Sequence, residues 1–449
     1  MSLRVLLISE ACNPEQVSVP LVGYSHCMAI RRRKDIDARL VTQIRNRDAL
    51  LRSGLRDPED FVAIDTERIA APAHRLANRL RGGAGKGWTT VMAIRALTYP
   101  VFERQVWKQF GDQLKARQFD VVHRVTPLSP TTPSSLAKRC KRIGVPFIAG
   151  PLNGGVPWPK AFDSIRRQER EWLSYVRGVY RWLPGFHGTR KAASALLVGS
   201  RDTLEQMPAR YRHKCIFMPE NGIDPSRFQA HRTRRIDGPL RLIFVGRLVP
   251  YKGCDMLVDA AAELIQQGQA TLEIVGDGPE MSRLRRQAET LGLGPAIKFS
   301  GRLEHDQVQH RMAEADLFVF PSIREFGGAV ALESMAVGLV PMVVAYGGLA
   351  DLVGEEHGFR IPMGSRDEII GHLKKRLREL RADPSEIEIR ANLLRRHVQE
   401  TYTWDAKAAQ VSEIYHQLSC QSNSSRASFE TPRTENSLCH RQVPAFSGD

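Results

Sequence analysis

Two carboxylates on either side of a glycine turn are the residues of this chain best suited to chemistry. Glu325 and Glu333 lie eight positions apart, and Phe326-Gly327-Gly328 follows the first of them. An apolar, strand-like run precedes the segment, and a helix-like run contains Glu333. In an open parallel α/β sheet, ligands bind where a loop leads from a strand to a helix N-terminus. Glycines let backbone amides approach a phosphate, and carboxylates accept hydrogen bonds from hydroxyls, so the segment suits a sugar nucleotide.

Two cations follow an earlier strand-like run of the same half. Arg247 and Lys252 are five positions apart, and Gly246 and Gly253 flank them. In one loop, the two cations can converge on a diphosphate and stabilise the negative charge that grows when the phosphate departs. The alternative is a solvated charge pair at the surface.

These segments resemble the retaining glycosyltransferases of family 4. The spacing of Glu325 and Glu333 is similar to the E-x7-E signature of that family. Further segments match in the family's order: Phe244 to Gly253, Leu272 to Pro279 with Gly276, Phe299 to Arg302, and Gly347-Gly348. The matches span residues 240 to 360, whereas the N-terminal half matches loosely. The resemblance implies the GT-B architecture, in which two Rossmann-like, doubly wound α/β domains face each other and a C-terminal helix crosses back to the first.

The resemblance also implies a role for each donor-site residue. Glu325 would contact the donor sugar, with the amides of Phe326, Gly327 and Gly328 near sugar and phosphate. Glu333 would accept hydrogen bonds from the ribose hydroxyls; the alternative is that a Glu in the first turn of a helix only complements the helix dipole. The expected donor site also contains Gly246, Arg247, Lys252 and Gly276, and the expected catalytic residues are His123, Arg247, Lys252 and Glu325. Neither a metal nor a cofactor is expected, since the sugar nucleotide is a substrate.

The acceptor side is expected in the first half. His123 follows Asp120-Val121-Val122 and resembles the family's histidine at the cleft; the alternative is a satisfied core histidine. Gly154 and Gly155 resemble an acceptor-side loop, or form a plain turn. The loop after the first strand departs from the family pattern, because only Gly23 stands where two adjacent glycines are common. Asp351 replaces the Glu that often follows the later glycine pair.

Strand-like and helix-like runs alternate along the chain, which is typical of doubly wound α/β domains. The candidate strands are Val5 to Ile8, Val121 to His123, Pro146 to Gly150, Ala195 to Gly199, Cys215 to Pro219, Leu240 to Val245, Leu272 to Val275, Ile297 to Phe299, Leu317 to Phe320 and Val340 to Val344. We expect a first domain at 1–223, a linker at 224–238 and a nucleotide-sugar domain at 239–400. A returning helix at 401–419 and a disordered tail at 420–449 would follow.

The positive charge is concentrated in the first half. Residues 1–223 hold 37 Lys and Arg against 19 Asp and Glu, a net charge of +18, whereas residues 224–449 hold 28 against 30, a net charge of −2. This split predicts an anionic partner of the first domain. The basic positions include Arg31 to Lys34, Arg75, Arg79, Arg81, and a run with interleaved aromatics from Arg166 to Trp182. That composition suits an anionic membrane surface; the alternative is a solvated face over core aromatics.

The remaining composition limits the cellular setting. The seven cysteines show no C-x-x-C spacing, so neither a disulfide framework nor a zinc site is expected. The apolar run at Val5 to Ile8 is too short for a signal peptide, and no run approaches the roughly eighteen residues of a membrane span. We expect a cytoplasmic protein that lies at the inner face of the cytoplasmic membrane.

Three functions compete at this point. The first is a metal-independent retaining glycosyltransferase that moves a sugar from a UDP- or GDP-sugar to a lipid-linked or polysaccharide acceptor in cell-surface glycan biosynthesis. The second is another GT-B enzyme such as a sugar-nucleotide epimerase, in which E-x7-E is not usual. The third is a basic nucleic-acid-binding protein; the sequence shows no recognition motif for one, and no nucleic-acid partner is expected.

Overall fold

The computed structural model describes residues 2–69, 71–72, 75, 88–169, 185–232 and 236–430. Within these ranges the chain forms two parallel sheets with helices packed on them, which confirms the predicted α/β fold.

The first domain is built on a sheet of order β3-β2-β1-β4-β5-β6-β7, and all its strands are parallel. Its strands are β1 (Leu3–Ser9), β2 (Ile36–Gln43), β3 (Phe61–Ile64), β4 (Val121–Thr126), β5 (Phe147–Leu152), β6 (Ala195–Val198) and β7 (Cys215–Phe217). Residues 121–126 of β4 are all buried, as expected of a strand that helices cover on both faces.

The helices of the first domain flank this sheet. They are α1 (Val19–Arg31), α2 (Arg47–Arg52), α3 (Trp88–Lys115), α4 (Ser135–Arg142), α5 (Asp163–Gln168), α6 (Phe186–Ala192), α7 (Arg201–Gln206) and α8 (Ala209–Arg212).

The second domain has a parallel sheet of order β10-β9-β8-β11-β12-β13. Its strands are β8 (Leu240–Val245), β9 (Ala270–Val275), β10 (Ile297–Gly301), β11 (Leu317–Phe320), β12 (Val340–Val344) and β13 (Phe359–Ile361). Its helices are α9 (Cys254–Gln266), α10 (Met281–Thr290), α11 (His305–Glu314), α12 (Ala329–Ala336), α13 (Gly348–Leu352), α14 (Arg366–Ala382) and α15 (Ser385–Thr401).

The last helix, α16 (Trp404–Glu430), returns to the first domain. Trp404, Val411 and Tyr415 lie in the hydrophobic core that β1 and α1 share. The helix continues beyond residue 419, so residues 420–430 of the predicted tail belong to it, and residues 431–449 lie outside the described part of the chain.

The predicted linker is largely packed rather than free. The chain crosses between the domains twice at one place, where Ile223 N donates to Tyr402 O and Trp404 N donates to Ile223 O. Phe228 is already buried in the core of the second domain. The guanidinium of Arg232 pairs with Glu388 of the second domain at 3.1 Å, so this basic residue also contacts that domain.

The strand order of each sheet reverses once. The strand order reverses between β1 and β4 in the first domain, and between β8 and β11 in the second. Such switch points open a crevice at the carboxyl ends of the strands, where ligands bind in open α/β sheets.

Candidate functional site

An ion pair lies at the switch point of the second domain. Lys252 ends the short turn after β8, Glu325 lies in the loop after β11, and the ammonium of Lys252 donates to the carboxylate of Glu325. The two side chains are 16% and 17% exposed, so a small ligand can reach them. The structure thus brings together two predicted catalytic residues that are 73 positions apart in the chain.

Gly253 allows the two loops to approach each other. Its φ is +71°, and a Cβ there would lie 2.3 Å from the carbonyl oxygen of Pro321. Any other residue would therefore push the Lys252 turn away from the loop that carries Glu325.

The rings around Lys252 hold its ammonium group. Its Nζ lies 4.9 Å from the ring centroid of Phe320 and 5.7 Å from that of Tyr251. Cations are attracted to aromatic faces at such distances, so the two rings add to the attraction of the carboxylate for this ammonium.

Arg247 differs from Lys252 in its surroundings. It is exposed, and its side chain has no ion-pair partner among the residues that the structure describes. The two cations lie in the same loop as predicted, and of the two only Lys252 has an ion-pair partner among the described residues.

Gly246 and Gly276 bring the ends of β8 and β9 into direct contact. A Cβ on Gly276 would lie 1.9 Å from the carbonyl oxygen of Gly246. Gly246 N also donates to Val275 O at 3.0 Å. Packing alone explains these glycines, and their contact with a donor stays a prediction.

The glycine turn after Glu325 leads directly into α12. Gly328 precedes the helix with φ +58°, and Gly348 N donates to Glu325 O at 3.0 Å. A Cβ on Gly348 would lie 1.7 Å from the carbonyl oxygen of Phe326, so this backbone contact is tight. The turn presents Glu325 and the helix N-terminus at the same edge of the sheet, the arrangement expected for phosphate and sugar binding.

Glu333 lies in α12 and faces His305, which the sequence analysis missed. Oε1 of Glu333 is 3.5 Å from Nε2 of His305, and the carboxylate is 24% exposed. The His305 ring packs edge-on against Phe228 at 5.2 Å. A polar neighbour thus holds the carboxylate at the surface, where a diol can reach it.

The Gly154-Gly155 loop after β5 is held by residues of the first domain. Gly154 N donates to Thr203 Oγ1 at 2.8 Å, and Gly155 N donates to Asn153 Oδ1 at 2.9 Å. These bonds show a structured turn within the first domain. An acceptor role for it stays a prediction.

His123 does not project into the cleft, so that expectation is wrong. The ring is fully buried; its Nε2–H donates to Gly150 O at 2.7 Å, and its Nδ1 accepts from the Tyr415 hydroxyl at 2.6 Å. Burial lowers the pKa of His123 to about 4, which keeps the ring neutral as this bonding requires. His123 ties β4 to β5 and to α16.

Gly23 is also a packing residue in this structure. It is buried in α1, and a Cβ there would lie 2.2 Å from the carbonyl oxygen of Ala11. The missing side chain lets α1 lie against the loop after β1. The expected acceptor contact of Gly23 has no support in this geometry.

Sequence reasoning also missed two ionisable groups at the domain junction. Asn153 Nδ2 donates to Glu220 Oε2 at 2.7 Å, and burial raises the pKa of Glu220. Lys407 is fully buried, donates to Pro219 O at 2.6 Å, and has its pKa lowered by burial to about 7. A single Lys in an ordinary helical pattern gives no signal of such burial.

Part of the predicted basic surface is neutralised by carboxylates. Arg31 pairs with Asp60 at 2.7 Å, Arg32 with Asp405 at 2.8 Å, and Arg33 with Asp35 at 2.9 Å. Of the other basic positions, Arg79, Arg81 and 170–182 lie outside the described residues. Among the residues described, no helix is both long and apolar enough to cross a membrane.

Comparison with known proteins agrees with this geometry. Residues 226–391 match the family model for glycosyl transferases group 1. The 2-deoxystreptamine glucosyltransferase of Streptomyces kanamyceticus is 27% identical over 315 residues, which cover 67% of this chain and 75% of that protein. The chain spans about half the length of other curated relatives that it matches, 52% and 47% in two cases.

Two solved structures show the same architecture. An Anabaena protein in complex with UDP superposes with a TM-score of 0.56 at 16% identity, over 92% of this chain and 100% of that one. A lipopolysaccharide outer core galactosyltransferase in its apo form gives a TM-score of 0.59 at 16% identity, over 92% and 99%. The chain therefore has the GT-B fold, and its residues 226–391 match the glycosyl transferases group 1 family.

Proposed function

We propose that this protein is a retaining glycosyltransferase of family 4, independent of metal, that transfers a sugar from a UDP- or GDP-sugar to a hydroxyl acceptor. The observation that carries the proposal is the Lys252–Glu325 pair at the β8/β11 switch point, inside the segment that matches the group 1 family. A cation for a diphosphate and a carboxylate for sugar hydroxyls lie side by side there.

Donor binding exchanges the partners of this pair. The diphosphate takes the ammonium of Lys252, and Glu325 is released to accept hydrogen bonds from the sugar hydroxyls. Arg247, exposed in the same loop, is available to the phosphate that departs. Glu333 accepts the ribose hydroxyls in place of its contact with His305.

Transfer follows a front-face course in this proposal. The acceptor oxygen bonds to the anomeric carbon on the face from which the phosphate leaves, and the carbon–phosphate oxygen bond breaks. The departing phosphate oxygen takes the proton of the acceptor hydroxyl, so the anomeric configuration is kept. His123 is given no part as a base, because Gly150 and Tyr415 occupy both its nitrogens.

The acceptor is proposed to be a lipid-linked or polysaccharide glycan at the inner face of the cytoplasmic membrane. The net charge of +18 on residues 1–223 supports an anionic surface as partner. Val17 is 81% exposed in the loop after β1, and it offers an apolar contact at the carboxyl edge of the first sheet.

A transfer assay tests the enzymatic proposal. Purified protein is incubated with UDP- and GDP-hexoses and a lipid-linked glycan, with and without EDTA, and the product is analysed by NMR. We expect a new glycosidic bond with the anomeric configuration of the donor, at equal rates with and without chelator. An inverted product, loss of activity in EDTA, or epimerised donor without transfer would contradict the proposal.

Vesicle flotation tests the membrane partner separately. We expect the protein to float with anionic vesicles at low salt and to be released as salt rises, because salt screens the attraction. Changing Arg167, Arg170 and Arg177 to Ser should reduce flotation, whereas the same change at Arg283, Arg285 and Arg286 of α10 should not. Equal binding to neutral vesicles would contradict the electrostatic account.

A further inference from the structure

A short segment of the first domain reaches into the second domain behind the ion pair. Trp158 follows the Gly154-Gly155 loop and is only 9% exposed, and its ring belongs to the hydrophobic core of the second domain. Phe162, four residues later, is buried in the same core. The first domain therefore contributes part of the packing on which the donor loops rest.

Trp158 contacts the immediate neighbours of both charged residues. Its ring meets that of Tyr251 edge-on at 6.1 Å, and Tyr251 precedes Lys252. The guanidinium carbon of Arg324 lies 4.6 Å from the Trp158 ring centroid, and Arg324 precedes Glu325. One indole thus contacts the side chains of the residues that precede Lys252 and Glu325 in the chain.

Arg324 of the second domain also contacts this segment of the first domain. It is 9% exposed, its Nε–H donates to Val156 O at 3.2 Å, and its guanidinium carbon is 4.9 Å from the Phe326 ring centroid. The cation therefore lies between an aromatic ring of each domain and bonds to the first-domain backbone.

A third loop of the second domain completes the contact. The Tyr346 hydroxyl donates to Pro157 O at 3.1 Å. A Cβ on Gly347 would lie 2.6 Å from Cγ2 of Val156, so the backbone of this loop is closely packed on the segment. The segment Val156–Trp158 touches the loops that follow β8, β11 and β12, three adjacent strands of the second sheet.

We propose that Trp158 and Arg324 are positioning residues that transmit the placement of the first domain to the Lys252–Glu325 pair. The inference rests on the proposed function and adds to it a structural link between the acceptor-side loop and the donor site. Displacement of reacting groups by about 1 Å can reduce a rate by about a hundredfold, so such a link matters for turnover. A nucleoside diphosphate does not require it, because the cations that would bind it belong to the second domain.

The variants Trp158→Phe, Trp158→Ala and Arg324→Lys test this link. We expect kcat for glycosyl transfer to fall by about tenfold or more in Trp158→Ala and Arg324→Lys, and less in Trp158→Phe, which keeps a ring. Affinity for UDP or GDP, measured by calorimetry, should stay within about twofold of the parent. Trp107→Ala is the matched control, because that ring also lies near cations, Arg139 at 5.0 Å and Lys115 at 5.9 Å, but within the first domain.

Hydrogen exchange supplies a second measurement that needs no activity. We expect faster amide exchange at 251–253, 324–328 and 346–348 in Trp158→Ala, and unchanged exchange there in Trp107→Ala. Unchanged kcat in Arg324→Lys and Trp158→Ala, or unchanged exchange in the three loops, would overturn the inference. If the parent protein transfers no sugar, the proposed function fails and the exchange measurement alone decides whether the link exists.

Discussion

The two switch points of this molecule have the same topology and opposite surroundings. In the first domain, His123 in the middle of β4 is buried against Tyr415 of α16, and His26 packs 5.8 Å from His123. In the second, the ends of β8 and β11 carry the partly exposed Lys252–Glu325 pair. The two sheets share a strand order with one switch point each, but the side chains near the two points differ, so the strand order alone does not decide where a ligand binds.

The largest expected effect is the loss of the cation at the switch point of the second domain. Lys252→Ala should lower turnover by about a hundredfold or more with folding intact, because a fixed charge no longer meets the departing phosphate. Arg247→Ala is expected to have a similar effect. The control is Lys298→Ala, since Lys298 is exposed and pairs with Glu273 at 3.4 Å. Near-normal turnover in both site variants would remove the two cations from the mechanism.

The buried His123 of β4 should make the stability of the chain depend on pH. The pKa of His123 is about 4 in the folded chain against an ordinary value of 6.5, so the unfolded state binds the proton first as pH falls. The free energy of unfolding should therefore decrease between pH 6.5 and 4, by at most about 1.4 kcal/mol per pH unit from this group.

Urea unfolding followed by circular dichroism between pH 4 and 7 measures this dependence. His123→Gln should show a shallower decrease than the parent, whereas His310→Gln, at an exposed position of α11, should keep the parental slope. Equal slopes in His123→Gln and the parent would show that His123 does not resist protonation as its burial implies.

Replacing each of the two carboxylates should change nucleotide affinity in opposite directions, and these effects should be smaller than those above. Glu333→Gln should weaken binding of UDP or GDP, because it removes the proposed ribose acceptor. Glu325→Gln should impair sugar transfer and strengthen nucleotide binding by about fivefold, since Lys252 loses a competing partner in a partly exposed pair, worth about 1 kcal/mol. Calorimetry with the nucleotide alone compares the two variants; weaker binding in Glu325→Gln than in Glu333→Gln would reverse the assignment.

The strands show how far local pattern specifies this fold. β8, β11 and β12 have the predicted bounds, because each is an apolar run, interrupted in β8 only by the exposed Arg241, that lies inside a sheet covered on both faces. β2 was missed because Asp37 and Arg39 interrupt its pattern, and the short strands β3 and β13 were missed as well. Whether a short strand, or a strand with both polar and apolar residues, forms at all depends on pairing with neighbours that are distant in sequence.

By itself, the sequence determined the two-domain α/β class and the candidate donor-site segments, because strand periodicity, glycine turns and carboxylate spacing are local properties of the chain. The tertiary structure decided the contacts of residues that lie far apart: the pairing of Lys252 with Glu325, 73 positions later, and the burial of His123 against Tyr415, 292 positions later. It also placed Trp158 of one domain in the core of the other. Burial and partner choice depend on how sheets, crossing helix and loops pack together, and no local pattern specifies that packing.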